Sequence, residues 1–289
     1  PPEHEFSCRF GNIRSIRVIG DKRIELGVKG GNVIELERGR SLAIGNWIAV
    51  EPRNGKIENV VWEHISEIVF SAAPNSINEP KDHPIAGIVE TPYGMYKGLI
   101  QWDLDENSQE SLLDGRTESS WVSVAFKNIG SIKSLGNSSL VTLHSGRELC
   151  MWGENDVNAT NRGIAINMPS IGQVIVGWHD FKLFRAIPLD QLNLPVYDDF
   201  RAPERLFGRV ETRDGRSLEG VLVYDLDEAM DFELLDGQNG NISYRIPFEY
   251  VREIEPKNYK YTWGKLSGGT ELVLGGMYDV MATNDGILI

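Results

Sequence analysis

Two cysteines in 289 residues are too few for a disulfide framework. Cys8 and Cys150 lie far apart without metal-ligand spacing, so free thiols are expected, with one long-range bridge as the alternative. The histidines are scarce as well. His4, His64, His83, His144 and His179 show no ligand spacing and read as solvated loop residues. His179 beside Asp180 makes no dyad, since neighbours on a strand face opposite sides, and His144-Ser145 has no nucleophile elbow around it. No Gly-rich loop sits between a strand and a helix to cradle phosphate. No apolar run approaches the roughly 20 residues of a membrane-spanning helix, which argues against direct membrane insertion. Positive charge is in deficit: 29 Lys and Arg face 42 Asp and Glu, a net charge of −13. That balance argues against nucleic acid and anionic membrane surfaces as partners, because both are gripped through Lys and Arg. Helical periodicity is missing too, and no cofactor is implied.

What is present is a repeat. Phe10-Gly-Asn-Ile13-Arg-Ser-Ile16 places an aromatic residue ahead of apolar residues at +3 and +6. The figure returns as WEHISEI from Trp62, FKNIGSI from Phe126, WHDFKLF from Trp178 and FEYVREI from Phe248. Successive spacings of 52, 64, 52 and 70 residues alternate short and long, which implies two kinds of unit, A and B. In unit A, GLIQWDLDENSQESLLDG (98–115) matches GVLVYDLDEAMDFELLDG (220–237) at 9 of 18 positions. In unit B, GRELCMWGENDVNATNRGIAI (146–166) matches GTELVLGGMYDVMATNDGILI (269–289) at 12 of 21. Such self-similarity marks duplicated structure.

Apolar–polar alternation around "RDG" and "HSG" turns reads as hairpins, so the fold class expected is all-β. Units of about 50 residues hold four or five short strands, and closure into a small barrel would bury one face and remove the edges. Each aromatic motif then closes a unit: a plug, one 3₁₀-like turn, and a last strand. The organisation expected is 1–70, the end of an A unit plus a B unit; 71–84, a Pro-rich linker; 85–187, an A plus B pair; 188–204, a second linker; and 205–289, an A unit plus an incomplete B unit.

The A pattern from Val210 to Asp225, followed by LLDG and IPFEYVREI, resembles the first half of Sm-like small barrels within the SH3-like group. The resemblance implies a bent five-stranded sheet, and with the repeat it makes the expected architecture tandem small SH3-like/Sm-like barrels in alternating A and B units. It also suggests RNA binding, from which this chain departs. The nearest counterpart of the Arg-Gly pair of the Sm pocket, Arg162-Gly163, lies in unit B, and its second copy reads Asp285-Gly286.

Two groups of residues are candidates for chemistry. Asp103, Asp105 and Glu106 in WDLDE, with Asp225, Asp227 and Glu228 in YDLDE, could offer oxygens to Ca²⁺; the plain alternative is turn residues capping their own backbone. DVNATNRG (156–163) also alternates Asp156, Asn158 and Thr160, but its copy puts Met281 in the middle slot, which favours an Asx-type turn. The repeat-matched aromatics Trp102 and Tyr224 are candidates for binding a partner. Copied barrels with no catalytic constellation suggest a non-enzymatic scaffold or protein-interaction module, in the cell envelope or secreted. The Pro1-Pro2 start without a Met fits a processed secreted protein and equally a trimmed chain; the processed reading gives the expected periplasmic or extracellular location. Another protein is the expected partner, with self-association through the edges of incomplete end units as one route. The alternative is a carbohydrate- or cell-wall-binding module, free-standing or accessory to an enzyme.

Overall fold

The computed structural model describes residues 6–20, 23–37, 47–50, 56–73 and 82–289. Strand makes up 51% of it, and every helical segment described is a three-residue 3₁₀ turn, so the protein is all-β. The strands are β1 (Ile13–Val18), β2 (Arg23–Val28), β3 (Val33–Glu37), β4 (Trp47–Val50), β5 (Glu58–Val61), β6 (Glu67–Val69), β7 (Ile85–Glu90), β8 (Met95–Gln101) and β9 (Leu112–Arg116). Next come β10 (Trp121–Ala125), β11 (Ile129–Ser134), β12 (Ser138–Leu143), β13 (Glu148–Trp152), β14 (Ile164–Met168), β15 (Gly172–Val176), β16 (Leu183–Ala186), β17 (Phe207–Glu211) and β18 (Ser217–Val221). The last are β19 (Val223–Tyr224), β20 (Leu234–Asn239), β21 (Ile242–Pro247), β22 (Val251–Pro256), β23 (Tyr261–Leu266), β24 (Glu271–Gly275) and β25 (Ile287–Leu288).

The chain divides into two compact units, neither continuous in sequence: residues 1–79, 195–234 and 286–289 form one, and residues 80–194 and 235–285 the other. In the first, β3-β2-β1-β6 make a sheet, while β4-β5, β17-β18 and β19-β25 pair in twos. Its core joins Ile13, Leu26 and Val28 to Phe232, with Phe6, Ile16, Phe70 and Met230 packed around them. Part of the expected second linker is docked here. The Tyr197 hydroxyl donates to the Ile13 carbonyl at 2.8 Å, and Lys29 Nζ donates to the Phe200 carbonyl at 2.8 Å. Phe200 lies so close over Gly11 that a Cβ there would sit 2.3 Å from the ring.

The second unit is built on one fifteen-stranded sheet, ordered β10-β9-β13-β12-β11-β16-β7-β8-β14-β15-β21-β20-β24-β23-β22. Among the described residues no sheet closes on itself. The reason is visible in the pairing. A closed A barrel would pair β11 with β7, but β16 lies between them, hydrogen-bonded to both. Likewise β8 pairs with β14, so residues 85–134 and 138–186 interleave along the sheet in blocks of one or two strands.

The aromatic motifs behave differently from end to end of the chain. A 3₁₀ turn starts at Phe10, Trp62, Phe126 and Phe248, each followed by a strand; Trp178 instead opens a tight turn in which the Phe181 N–H donates to its carbonyl. Phe126, Trp178 and Phe248 are buried, whereas Phe10 is 69% exposed and touches only the edge of Phe70 among aromatic rings described. Phe126 from one motif and Trp178, Phe181 and Phe184 from the next converge on Trp102, with ring centroids 5.2–6.2 Å away. One aromatic core therefore serves both segments. Gly87 leaves room for it, since a Cβ there would meet the Phe184 ring at 2.1 Å.

Candidate functional site

The site grows from a strained turn next to this core. Trp102 and Glu106 exchange backbone hydrogen bonds of 2.7 and 2.9 Å, and between them Asp103 (φ 49°) and Leu104 (φ 64°) adopt left-handed backbone. Asp tolerates that region; for Leu it costs about 1–2 kcal/mol. The same geometry recurs in YDLDE, with Asp225 at φ 50° and Leu226 at φ 65°. Its consequence is the direction of the Asp103 carboxylate, which turns inward and is completely buried.

Buried charge needs partners. Asp103 receives the Asn155 amide, the Arg162 backbone N–H, and the Arg162 guanidinium through Nε at 3.0 Å and Nη2 at 2.8 Å. Arg162 also pairs with Asp105. Held by hydrogen bonds to both carboxylates, Arg162 binds its proton more tightly than usual.

Asp156 approaches from the 3₁₀ turn Asn155–Val157. Its Oδ2 accepts the Asp114 N–H of β9 at 2.7 Å, and its carbonyl accepts the Trp102 indole N–H at 2.9 Å. Burial pushes its pKa up to about 6; the Asp114 N–H opposes this, and the charges of Asp103, Asp114 and Asp105 add to it. Glu106 is pushed further, to about 8, by burial first, then by its hydrogen bond with Asp105 and the charges of Asp156 and Asp105. Burial also acts on Asp105, but hydrogen bonds with Glu106 and Arg162 outweigh it and hold that carboxyl below its usual range. The opposite shifts of the pair favour a proton held on Glu106 against an ionised Asp105.

Asp103, Glu106 and Asp156 bring one carboxylate oxygen each within 4.8 Å of one another. A small cation could sit there only if Glu106 lost its proton, and three oxygens are about half of what Ca²⁺ takes. Arg162 already neutralises Asp103. The cluster as built ties the WDLDE turn, β9 and the DVNATN segment together.

The structure thus brings Asp103 and Glu106 together but turns Asp105 outward, with its side chain 54% exposed. The third oxygen comes from Asp156, which the sequence placed in a turn. Its signal was its recurrence as Asp279, whose Oδ2 accepts the Asp236 N–H at 2.6 Å, the counterpart of the Asp156–Asp114 bond. The Asx-type turn expected in this segment is present at Asn158, whose Oδ1 accepts the Thr160 N–H at 2.8 Å, and again at Asn161, whose Oδ1 accepts the Gly163 N–H at 2.9 Å. Asp225, Asp227 and Glu228 repeat the hairpin, with Glu228 almost fully buried. Arg162, however, corresponds to Asp285 in that copy.

Trp102 needs correction as a partner-binding residue. It is completely buried among four aromatic rings, so it packs the core and offers no surface. Tyr224 is partly buried at the matching hairpin position. Both thiols are free: burial pushes Cys8 up to about 11, and Cys150 is exposed. No protein-family model matches the chain, and no curated protein matches it.

Proposed function

We propose that this chain is a non-enzymatic repeat protein of the cell envelope or the extracellular space, serving as a scaffold or protein-interaction module. In this reading alternating A and B units of small, SH3-like/Sm-like barrel ancestry share strands instead of closing singly. The observation that carries it is lateral continuity: β15 pairs with β21, so two successive A/B segments extend one sheet. Corresponding contacts accompany each segment. Gln101 pairs with Ala165 as Val223 pairs with Leu288, and the Ser139 hydroxyl bonds the Val157 carbonyl as that of Thr262 bonds Val280. An architecture that grows by adding sheet generates reach and surface, the property a scaffold needs.

A second reading, a glycan-binding module, is favoured by one observation: Trp121 is 59% exposed on a sheet edge, with the Arg116 guanidinium 4.1 Å from its ring centroid. Immobilised protein exposed to an extract of its native source tests both. A protein retained at fixed stoichiometry supports the scaffold; no retained protein, together with a tryptophan fluorescence shift on adding polysaccharide, supports the glycan reading.

A further inference from the structure

The fifteen-stranded sheet ends on β10 and β22, and among the described residues neither has a strand on its outer side. The two edges differ in chemistry. β22 carries Arg252, Glu253, Glu255 and Pro256, the residues with which natural sheets discourage further pairing. β10 reads Trp-Val-Ser-Val-Ala, without charge or proline.

Which peptide groups of β10 face outward follows from its ladder with β9. Asp114 sends its N–H to Asp156, away from β10, and Arg116 bridges to Trp152 of β13. Their partners on β10 are Ser123 and Trp121. The two residues of an antiparallel pair point their peptide groups both towards each other or both away, so those of Trp121 and Ser123 face the free edge. The alternate positions bond inward, as the Thr117 N–H to the Ser120 carbonyl and the Phe126 N–H to the Ser111 carbonyl show.

A cleft of about 510 Å³ has Val122 and Val124 of β10 in its lining with Leu143, Leu149 and Trp152, and the charged Glu118, Arg147 and Glu148 line it as well. What fits such an edge is seen on β21. Its residues 242–247 stand at the same repeat offset from 120–125 as 220–237 do from 98–115. There β15 is seated antiparallel, with Gln173 opposite Arg245, Val174 opposite Tyr244 and Ile175 opposite Ser243. Carried back to β10, these places are Ser123, Val122 and Trp121.

We propose that β10 binds an extended segment of a partner protein by antiparallel strand addition. The segment's backbone bonds the outward groups of Trp121 and Ser123, and β-branched apolar side chains of the β15 kind enter the Val122–Val124 cleft. This rests on the interaction-module reading and names its surface.

The probe is a synthetic peptide with the sequence of residues 170–177, SIGQVIVG, titrated into the full chain. Saturable binding that shifts the amide resonances of Trp121 and Ser123 is expected. Ser123→Pro removes an outward N–H and leaves the bonds to β9, so it should keep the wild-type melting temperature and lose about tenfold in affinity, the scale of one main-chain hydrogen bond. If that variant fails to fold, Trp121→Lys places a charge on the edge and should weaken the peptide similarly. Absence of saturable binding to the wild type, equal binding by the folded variants, or a Ser123 amide already protected from hydrogen exchange in the free protein would each overturn the proposal. A partner from the native source that Ser123→Pro still retains removes this edge but leaves the module reading intact; a wild-type protein that retains no partner removes that reading, while the peptide titration judges the edge by itself.

Discussion

Single residues already show why the acidic turn is more than a wet loop. Folded Glu106 holds its proton up to about pH 8, whereas in the unfolded chain it is released near its ordinary 4.5. Between those values the folded state binds the extra proton, so the stabilisation is complete at low pH and is lost as pH rises through about 8. Asp156 contributes with the same sign between 3.8 and about 6. The melting temperature should therefore fall from pH 6 to pH 8.5, and Glu106→Gln, which keeps the neutral shape, should flatten that slope. A wild-type profile already flat in this range contradicts the assignment. Trp102 supports the same site from beneath, through its indole bond to Asp156. Trp102→Ala should cost about 3–5 kcal/mol in urea unfolding, the range for large aromatic truncation in a core. A loss below about 1 kcal/mol would show that the cluster can collapse around the gap.

At the scale of elements, the join between β8 and β14 depends on a missing side chain. A Cβ on Gly98 would lie 2.3 Å from the Asn167 carbonyl oxygen, a backbone atom that cannot move without parting the strands. Gly98→Ala should destabilise by about 1–3 kcal/mol. It should also raise hydrogen exchange at Ala165 and Asn167, whose register opposes Gln101 and Leu99. Exchange confined to the β7-β8 hairpin would place the damage elsewhere. The corresponding glycine, Gly220, is less constrained: its Cβ would meet only Ile289 Cγ2, at 3.0 Å. Ala is therefore expected to cost less there, a difference within one repeated motif that urea midpoints can resolve.

Over the whole chain, sequence order and spatial order part company. Residues 195–234 belong to the same compact unit as residues 1–79, and Phe232 sits in one core with Ile13, Leu26 and Val28. A protease site inserted within 71–84 and cleaved should leave both fragments in one peak on gel filtration under native conditions. Tyr197→Phe removes the hydrogen bond to the Ile13 carbonyl and should make their separation by mild urea easier. Fragments that separate at once in buffer would show that the shared core is too weak to hold them.

Hydropathy alternation and turn chemistry sufficed for the all-β class, because strand periodicity and Gly turns are local properties. The aromatic plug was legible for the same reason at Phe126, where one 3₁₀ turn and a strand bury Ile129 and Ile132 completely, whereas the same local pattern at Phe10 leaves the ring 69% exposed, because what covers a ring is settled by packing. The acidic hairpin was visible through its repetition, though the depth of Asp103 was not. Strand partners lay beyond reach, since hydrogen bonding between strands depends on edges brought together by tertiary packing. Only the fold decided that β16 enters between β11 and β7, that Asp156 completes the cluster begun by Asp103, and that Trp102 faces inward. Each joins segments tens of residues apart, and no local period in the chain records that distance.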